Sequence, residues 1–161
     1  MAKEIERKFL VSGQRWRTFA NEGVAIRQAY IVAQDDRSLR VRIYGDGRAR
    51  LTIKVGHTAL VRDEYEVEIG RDEADDMLRH AVGTIIEKVR YKVPHAGYVW
   101  EVDVYGGAHR GLVIAEVELS SIHDDPELPN WVGREVTGES QYSNQSMALG
   151  TSDGAHLHQL A

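Results

Sequence analysis

The sequence contains no cysteine. Without thiols, the chain can form neither a disulfide framework nor a thiolate metal site. Disulfides are typical of secreted domains, so their absence favours a cytoplasmic location over a secreted one.

Long hydrophobic runs are also missing. No apolar stretch approaches the roughly 18 residues of a membrane-spanning helix, and the start lacks the apolar region of a signal peptide. The formal net charge of −5 argues against nonspecific attraction to nucleic acid. We therefore expect no membrane and no nucleic-acid partner, while a local basic groove and a homodimer remain compatible with the sequence.

The 161 residues fit one domain, since domains usually contain about 100–200 residues. We find no internal repeat, linker or shift in composition within residues 1–150. Residues 151–161 lose periodicity and are predicted to form a flexible tail. His156 and His158 lie there, and a frayed end is a simpler interpretation of them than a metal site.

Most of the chain alternates polar and apolar residues with a period of two, which predicts β-strands. The Asp46-Gly47 pair and other Gly or Pro residues separate the strands by short turns, so antiparallel hairpins are expected. The predicted strands are Ile5–Val11, Ala25–Val32, Ser38–Tyr44, Ala49–Val55, Asp63–Ile69, Ile85–Val93, Tyr98–Tyr105 and Leu112–Leu119.

Helical patterns are few and short. They cover Gly13–Asn21, Asp72–Val82, His123–Leu128 and Ser143–Gly150. The predicted class is therefore α+β, dominated by antiparallel strands.

One face of nearly every predicted strand is charged, and most strands carry a single sign on that face. The apolar residues between the charges give each strand a second face suited to a core. The charged positions are Glu4, Glu6 and Lys8; Arg40 and Arg42; Arg50 and Lys54; Glu64, Glu66 and Glu68; Lys88, Arg90 and Lys92; Glu101 and Asp103; Glu116 and Glu118.

Two arrangements of these faces are possible. In an open sheet they would meet water, and cross-strand ion pairs would contribute about 0.2–1 kcal/mol each. That arrangement does not explain why like charges repeat along one strand, because they repel unless something neutralises them. A sheet closed into a barrel, with charges inside and helices packed outside, would suit a polyanion accompanied by divalent metals.

The motif Glu4-Ile5-Glu6-Arg7-Lys8, followed in order by LRVRIY, LTIKV, DEYEVEI, EKVRYKV, WEVDVY, AEVEL and EVTGESQYSN, resembles the CYTH superfamily, also called triphosphate tunnel metalloenzymes. The resemblance covers residues 3 to about 149. It implies a closed or nearly closed antiparallel β-barrel, or tunnel, of about eight strands. It also implies a metal-dependent enzyme with Mg²⁺ or Mn²⁺ as cofactor and a small triphosphate as substrate.

The resemblance also implies roles for individual residues. The metal ligands are expected among Glu4, Glu6, Asp103, Glu116 and Glu118. The residues expected to bind the triphosphate are Lys8, Tyr30, Arg40, Arg42, Lys54, Lys88 and Arg90. Glu64 and Glu66, with Lys8 and Lys54, are the expected catalytic residues, the two acids serving a second metal or the attacking water.

The sequence departs from the family near its end, where relatives often carry a basic residue before the Tyr and this chain has Gln141. That change removes one expected cation from the region that caps the tunnel. Inorganic triphosphate is the leading expected substrate because no insertion for recognising a base is evident. Thiamine triphosphatase activity, class IV adenylate cyclase activity and noncatalytic polyphosphate binding are the alternatives.

Overall fold

The computed structural model describes residues 2–56 and 60–150, and the predicted tail with His156 and His158 lies outside them. Within these residues, the eight expected strands are confirmed to within three residues at either end. They are β1 (Ala2–Val11), β2 (Val24–Ala33), β3 (Arg37–Tyr44), β4 (Ala49–Gly56), β5 (Val61–Ile69), β6 (Val82–His95), β7 (Tyr98–Tyr105) and β8 (Val113–Glu118).

The first strand closes the sheet into a barrel. The strands follow the order β5-β4-β3-β2-β6-β7-β8-β1, and β1 also pairs with β5. Every pairing is antiparallel, with Ile5 opposite Val61 on one edge of β1 and Lys8 opposite Glu116 on the other. Closure confirms the expected fold class. Each of the eight strands pairs with a neighbouring strand on both sides, so few backbone groups are left at a free edge.

A short strand that the sequence did not predict extends this arrangement. Strand β9 (Val132–Glu135) pairs with the end of β1 that β5 does not reach, with Val132 opposite Val11. Its four residues, VGRE, are too few and too polar to show the alternation that predicts a strand.

The hydrophobic core lies outside the barrel wall, as the alternation predicts. Trp16 and Trp100 are fully buried in one cluster, in which Trp16 packs on Tyr91 at 5.1 Å and Trp100 on Trp131 at 5.8 Å between ring centroids. Burying a large apolar side chain contributes about 1.5–3 kcal/mol. These contacts place Tyr91 and Trp100 in the hydrophobic core.

Helices cover parts of the exterior. Helix α1 (Arg71–Leu78) packs Ala74 and Leu78 against β2, β3 and β4, and helix α2 (Asn144–Leu149) packs Met147 and Ala148 against a cluster that includes Ile86. Both correspond to predicted helices. Among the described residues, no helix is long and apolar enough to cross a membrane.

Two other helix predictions need correction. The segment Gly13–Asn21 forms only a 3-10 helix at Arg15–Phe19. Trp16 is the buried residue of this helix, so a single side chain anchors it to the barrel. The segment His123–Leu128 contains no helix. There Asp124 accepts hydrogen bonds from the backbone N–H groups of Ser120 and Ser121, which favours a turn.

Helix α2 closes tightly onto β6 at a glycine. Gly83 has a φ of +77°, and a Cβ at this position would overlap the carbonyl oxygen of Ala148. The neighbouring Thr84 donates a hydrogen bond to the same oxygen at 3.3 Å. Glycine is therefore required here both for backbone conformation and for the approach of α2.

We predict that Gly83→Ala lowers the melting temperature more than Gly97→Ala. Gly97 has a similar φ of +84° but open space around its Cβ position, so its substitution costs only backbone strain, about 1–2 kcal/mol. Gly83→Ala adds displacement of α2, about 1–3 kcal/mol more. Thermal unfolding followed by circular dichroism measures both, and equal shifts would contradict the close packing.

Candidate active site

The charged faces of the strands enclose a cavity of about 810 Å³. Its lining includes Arg48 in the β3–β4 turn and Asp35 in the β2–β3 turn, which lie at opposite ends of β3. The cavity therefore runs along the barrel from one end to the other. Residues of the segment 136–146, which contains all of the EVTGESQYSN motif except Glu135, also line it.

The structure brings most of the predicted site residues together in this cavity. Arg50, Lys92 and Glu101, whose roles the sequence left open, also line it, whereas Glu68 does not. The predicted residues that line the cavity are Glu4, Glu6, Lys8, Tyr30, Arg40, Arg42, Lys54, Glu64, Glu66, Arg90, Glu116 and Glu118.

Two arginines of β3 are the most unusual charges in the cavity. Arg40 and Arg42 are only 7% and 6% exposed, yet among the described residues neither has a carboxylate within ion-pair distance. Arg40 Nη2 donates to the Thr52 hydroxyl at 3.4 Å and Arg42 Nε donates to the Gln28 side-chain oxygen at 2.9 Å. Burial and the nearby Arg40 and Arg90 lower the pKa of Arg42.

Other cations in the cavity do have acidic partners. Lys54 Nζ lies 2.8 Å from Glu4 Oε2 and 3.4 Å from Glu64 Oε2, and Lys8 Nζ lies 3.7 Å from Glu116 Oε1. A buried charge is costly unless it is paired. The two β3 guanidinium groups therefore keep a net positive charge that an anionic ligand would neutralise.

A cluster of four carboxylates lies on the β1–β8 wall. Glu6 is directly opposite Glu118, and Glu4 and Glu116 each lie two residues away from them on β1 and β8. Burial and then the charges of Glu116 and Glu4 raise the pKa of Glu6 well above its usual value. Burial and Glu4 also raise the pKa of Glu118.

Glu116 and Glu4 differ from the other two acids of this cluster. Burial opposes the ionisation of Glu116, but Lys8 and Arg90 outweigh that effect and lower its pKa to about 2. Burial likewise opposes the ionisation of Glu4, but Lys54 outweighs it and lowers the pKa of Glu4. The cluster thus holds two acids whose charges are balanced by nearby cations beside Glu6 and Glu118, whose charges are not, and a further cation is needed for all four to ionise together.

The donor set of this cluster fits a hard divalent cation, because Mg²⁺ and Mn²⁺ prefer carboxylate oxygens. In the present side-chain positions, no three acidic or histidine groups of residues 2–56 and 60–150 are close enough together to hold a metal ion. Glu4 is instead paired with Lys54. Metal binding would therefore require Glu4 to exchange that ammonium group for the metal.

Residues 2–151 match the model of the CYTH domain. The chain belongs to the CYTH family. It is 45% identical over 148 residues to a protein of Acetivibrio thermocellus named inorganic triphosphatase, covering 91% of this chain and 94% of that protein. A protein of Nitrosomonas europaea with the same name is 34% identical over 154 residues, covering 91% of this chain and 97% of the relative.

A solved structure shows the same fold. The crystal structure of an inorganic triphosphatase superimposes with a TM-score of 0.62 at 32% identity, covering 92% of this chain and 96% of that one. The closed barrel with its charged interior is thus the CYTH tunnel expected from the sequence.

Two predicted site residues do not line the CYTH tunnel. Lys88 and Asp103 have side chains that are 0% and 1% exposed, and Lys88 Nζ lies 2.7 Å from Asp103 Oδ2. Arg90 contacts both oxygens of Asp103, at 2.7 and 2.8 Å. In the structure, Asp103 is a buried counterion of Lys88 and Arg90 and orients Arg90. The role of Asp103 as a metal ligand and the role of Lys88 in binding phosphate stay predictions.

The pKa shifts agree with this buried network. Burial opposes ionisation of Asp103, but Arg90 and Lys88 hold its pKa well below the usual range. Burial lowers the pKa of Lys88, and Asp103 opposes that shift. Asn144 at the start of α2 joins the network, since its side-chain oxygen accepts from Tyr105 at 2.8 Å and from Lys88 at 3.4 Å.

The capping segment contacts the site without the expected cation. Gln141 donates to Glu139 at 3.2 Å, and the Tyr142 carbonyl oxygen accepts a hydrogen bond from Lys8 Nζ at 3.3 Å. Arg134 of β9 lies 2.7 Å from Glu139. The segment therefore approaches the tunnel through Lys8 and Asn144, and not through a basic residue at position 141.

Sequence reasoning missed Gln28, Tyr105 and Asn144. Gln28 lies on the same side of β2 as Ile26 and Tyr30 and directly opposite Arg42. The only signal for it was its place in the alternation, because an uncharged amide does not stand out among ionised groups.

Glu64 and Glu66 are two acids of β5, and each shifts the pKa of the other. Burial, and then a hydrogen bond to Glu66, raise the pKa of Glu64 to about 7. The same hydrogen bond lowers the pKa of Glu66. Near neutral pH Glu64 is therefore only partly ionised, whereas Glu66 is ionised.

We predict that Glu64→Gln stabilises the protein at pH 8 but has little effect at pH 5. A carboxyl whose pKa is raised by folding binds more protons folded than unfolded, so its contribution to stability falls as pH rises between about 4.5 and 7. Gln mimics the protonated form and removes that loss. Melting temperatures of both proteins at the two pH values test this, and a pH-independent difference would contradict it.

Proposed function

We propose that this chain hydrolyses inorganic triphosphate to diphosphate and orthophosphate, using Mg²⁺ or Mn²⁺. The observation that carries the proposal is the pair of buried, unpaired guanidinium groups of Arg40 and Arg42 in the same cavity as the acids of the β1–β8 wall. Arginine matches phosphate oxygens in geometry and charge. The names of the relatives support the choice of triphosphate.

The separation of the charges supports a substrate that carries a metal. Positive side chains without acidic partners project from β3, whereas Glu4, Glu6, Glu116 and Glu118 lie on β1 and β8. A triphosphate chain with a bound cation would satisfy both walls. When bound to those acids, the cation would neutralise phosphate charge and lower the pKa of a water molecule.

The protein's own residues bind and orient the substrate. Arg40 and Arg42 hold phosphate oxygens, and Arg90, fixed by Asp103, adds a third guanidinium. Lys8 and Lys54 neutralise charge as the bond to the leaving group breaks, which lowers the barrier without covalent catalysis. The size of such effects is about 10²–10³ in kcat for one well-placed donor.

The Glu64–Glu66 pair supplies the proton acceptor in this scheme. The oxygen of water forms a bond to the terminal phosphorus as the bridging P–O bond breaks and its electron pair leaves with diphosphate. The proton released by water passes to the ionised form of Glu64, which is the stronger base of the two because its pKa is raised to about 7. Loss of that proton to solvent restores Glu64 for the next turnover.

The first test is a product assay with inorganic triphosphate, thiamine triphosphate and ATP, each with Mg²⁺, Mn²⁺ or EDTA. We expect orthophosphate mainly from inorganic triphosphate, and only when a metal is present. Cyclic AMP with diphosphate from ATP would instead show a cyclase. Binding of triphosphate without turnover under all conditions would show a noncatalytic module.

A second test concerns the metal ligands. We predict that Glu118→Gln lowers kcat and Mn²⁺ affinity by at least about tenfold to a hundredfold, while circular dichroism shows an unchanged fold. Glu127→Gln is the matched control, because Glu127 lies exposed in the loop before β9. Mn²⁺ binding followed by electron paramagnetic resonance gives a reading that does not depend on turnover. Wild-type affinity in Glu118→Gln would remove Glu118 from the metal site.

A further inference from the structure

Gln28 is a fully buried amide inside the barrel wall. Its exposed fraction is 0%, and it lies on β2 directly opposite Arg42 of β3 and Ile86 of β6. Its side-chain oxygen accepts the Nε–H of Arg42 at 2.9 Å. Gln28 itself does not line the cavity, so it acts behind Arg42.

This hydrogen bond fixes the direction of the Arg42 side chain. A guanidinium group is planar, so occupying Nε determines the plane and leaves the terminal nitrogens to face the cavity. Arg42 has no carboxylate partner in the described part of the chain. Gln28 is therefore the main constraint that the protein places on this arginine, together with contacts to Tyr44.

The neutrality of Gln28 matters as much as its hydrogen bond. The neighbouring Arg90 is held by a carboxylate, Asp103, and part of its charge is neutralised there. Arg42 is held at the same guanidinium nitrogen, Nε, by an amide that carries no charge. Its full positive charge stays available to a ligand, at the expense of repulsion by Arg40 and Arg90.

A second feature of the Gln28 amide agrees with this interpretation. Its Nε2 atom is buried and has no hydrogen-bond partner among the described residues. An unsatisfied buried donor costs about 1–3 kcal/mol. A residue chosen only for packing would avoid that cost, because Leu or Met fills a similar volume without it.

We propose that Gln28 is a positioning residue that orients Arg42 for phosphate while leaving its charge unneutralised. The inference rests on the proposed function and deepens it. Because Gln28 is uncharged, it leaves Arg42 with its full charge and so favours binding of a highly charged anion. Its role is in affinity for the phosphate chain, and not in the transfer step.

The test compares three variants of Gln28 and Gln14 in the full-length protein. Gln28→Met removes the acceptor at similar volume, and we expect about a tenfold rise in KM for inorganic triphosphate with kcat changed less than threefold. Gln28→Glu keeps the acceptor but neutralises Arg42, and we expect a KM rise at least as large. Gln14→Met is the matched control, because Gln14 makes the same kind of hydrogen bond to Arg17 Nε outside the barrel.

A double variant separates positioning from packing. If Gln28 acts through Arg42, then Gln28→Met adds nothing to the KM of Arg42→Ala, since the group to be positioned is gone. A KM rise of full size in the Arg42→Ala background would overturn the proposal. So would a wild-type KM in either Gln28 variant, with melting temperatures confirming that each protein is folded.

Calorimetric titration with inorganic triphosphate in EDTA distinguishes failure of the role of Gln28 from failure of the proposed function. Binding by wild type and weaker binding by Gln28→Met is the expected result. Equal binding by both proteins overturns the role of Gln28 and leaves the proposed function intact. Absence of binding by wild type, together with absence of turnover in the presence of metal, overturns both.

Discussion

The structure depends on the cost of enclosing like charges. Closure of β1 between β5 and β8 turns the charged faces of seven strands inward, together with the uncharged face of β2 that carries Gln28, and the fold must then compensate every buried ion. It does so by pairing most cations with acids, such as Lys54 with Glu4 and Lys88 with Asp103. The charges that remain unpaired define where a ligand binds, because only a ligand can complete the neutralisation.

The apolar exterior of the barrel supplies the stabilisation that offsets the cost of the charged interior. Trp16, Trp100 and Trp131 pack on one side of the wall, and α1 covers another. A barrel filled with ions gains little hydrophobic stabilisation from its centre, so the stabilising area has to lie between the wall and the elements around it. This division explains why most strands carry one mainly charged face and one mainly apolar face.

Much of the fold could be predicted from the sequence, because the period-two pattern is strong and because like charges repeated along one strand disfavour a water-facing sheet. The motif resemblance then fixed the family. The prediction failed where few residues decide the conformation. The 3-10 turn around Trp16 and the four residues of β9 depend on contacts with distant strands, which no local pattern encodes.

The cavity lining was predicted well for residues such as Arg40 and Glu116, because direction along a strand follows from alternation. Pairing between charges was not predictable, since Asp103 and Glu116 have the same pattern and both contact Arg90, yet the second partner is Lys88 for Asp103 and Lys8 for Glu116. Asp103 meets Lys88 and Arg90 deep in the wall, whereas Glu116 reaches the cavity. Gln28 was missed because its importance comes from register with Arg42, which only the paired strands reveal.

The position of β1 has a consequence for synthesis of the protein. Its pairing partners β5 and β8, and the Tyr142 carbonyl that Lys8 contacts, all come later in the chain. A ribosome adds roughly 5–20 residues per second. It therefore completes β8, whose Glu118 is opposite Glu6, several seconds after β1. The first strand therefore waits with both edges unpaired, and its alternating charges, which later serve the site, also keep the nascent strand from pairing with others.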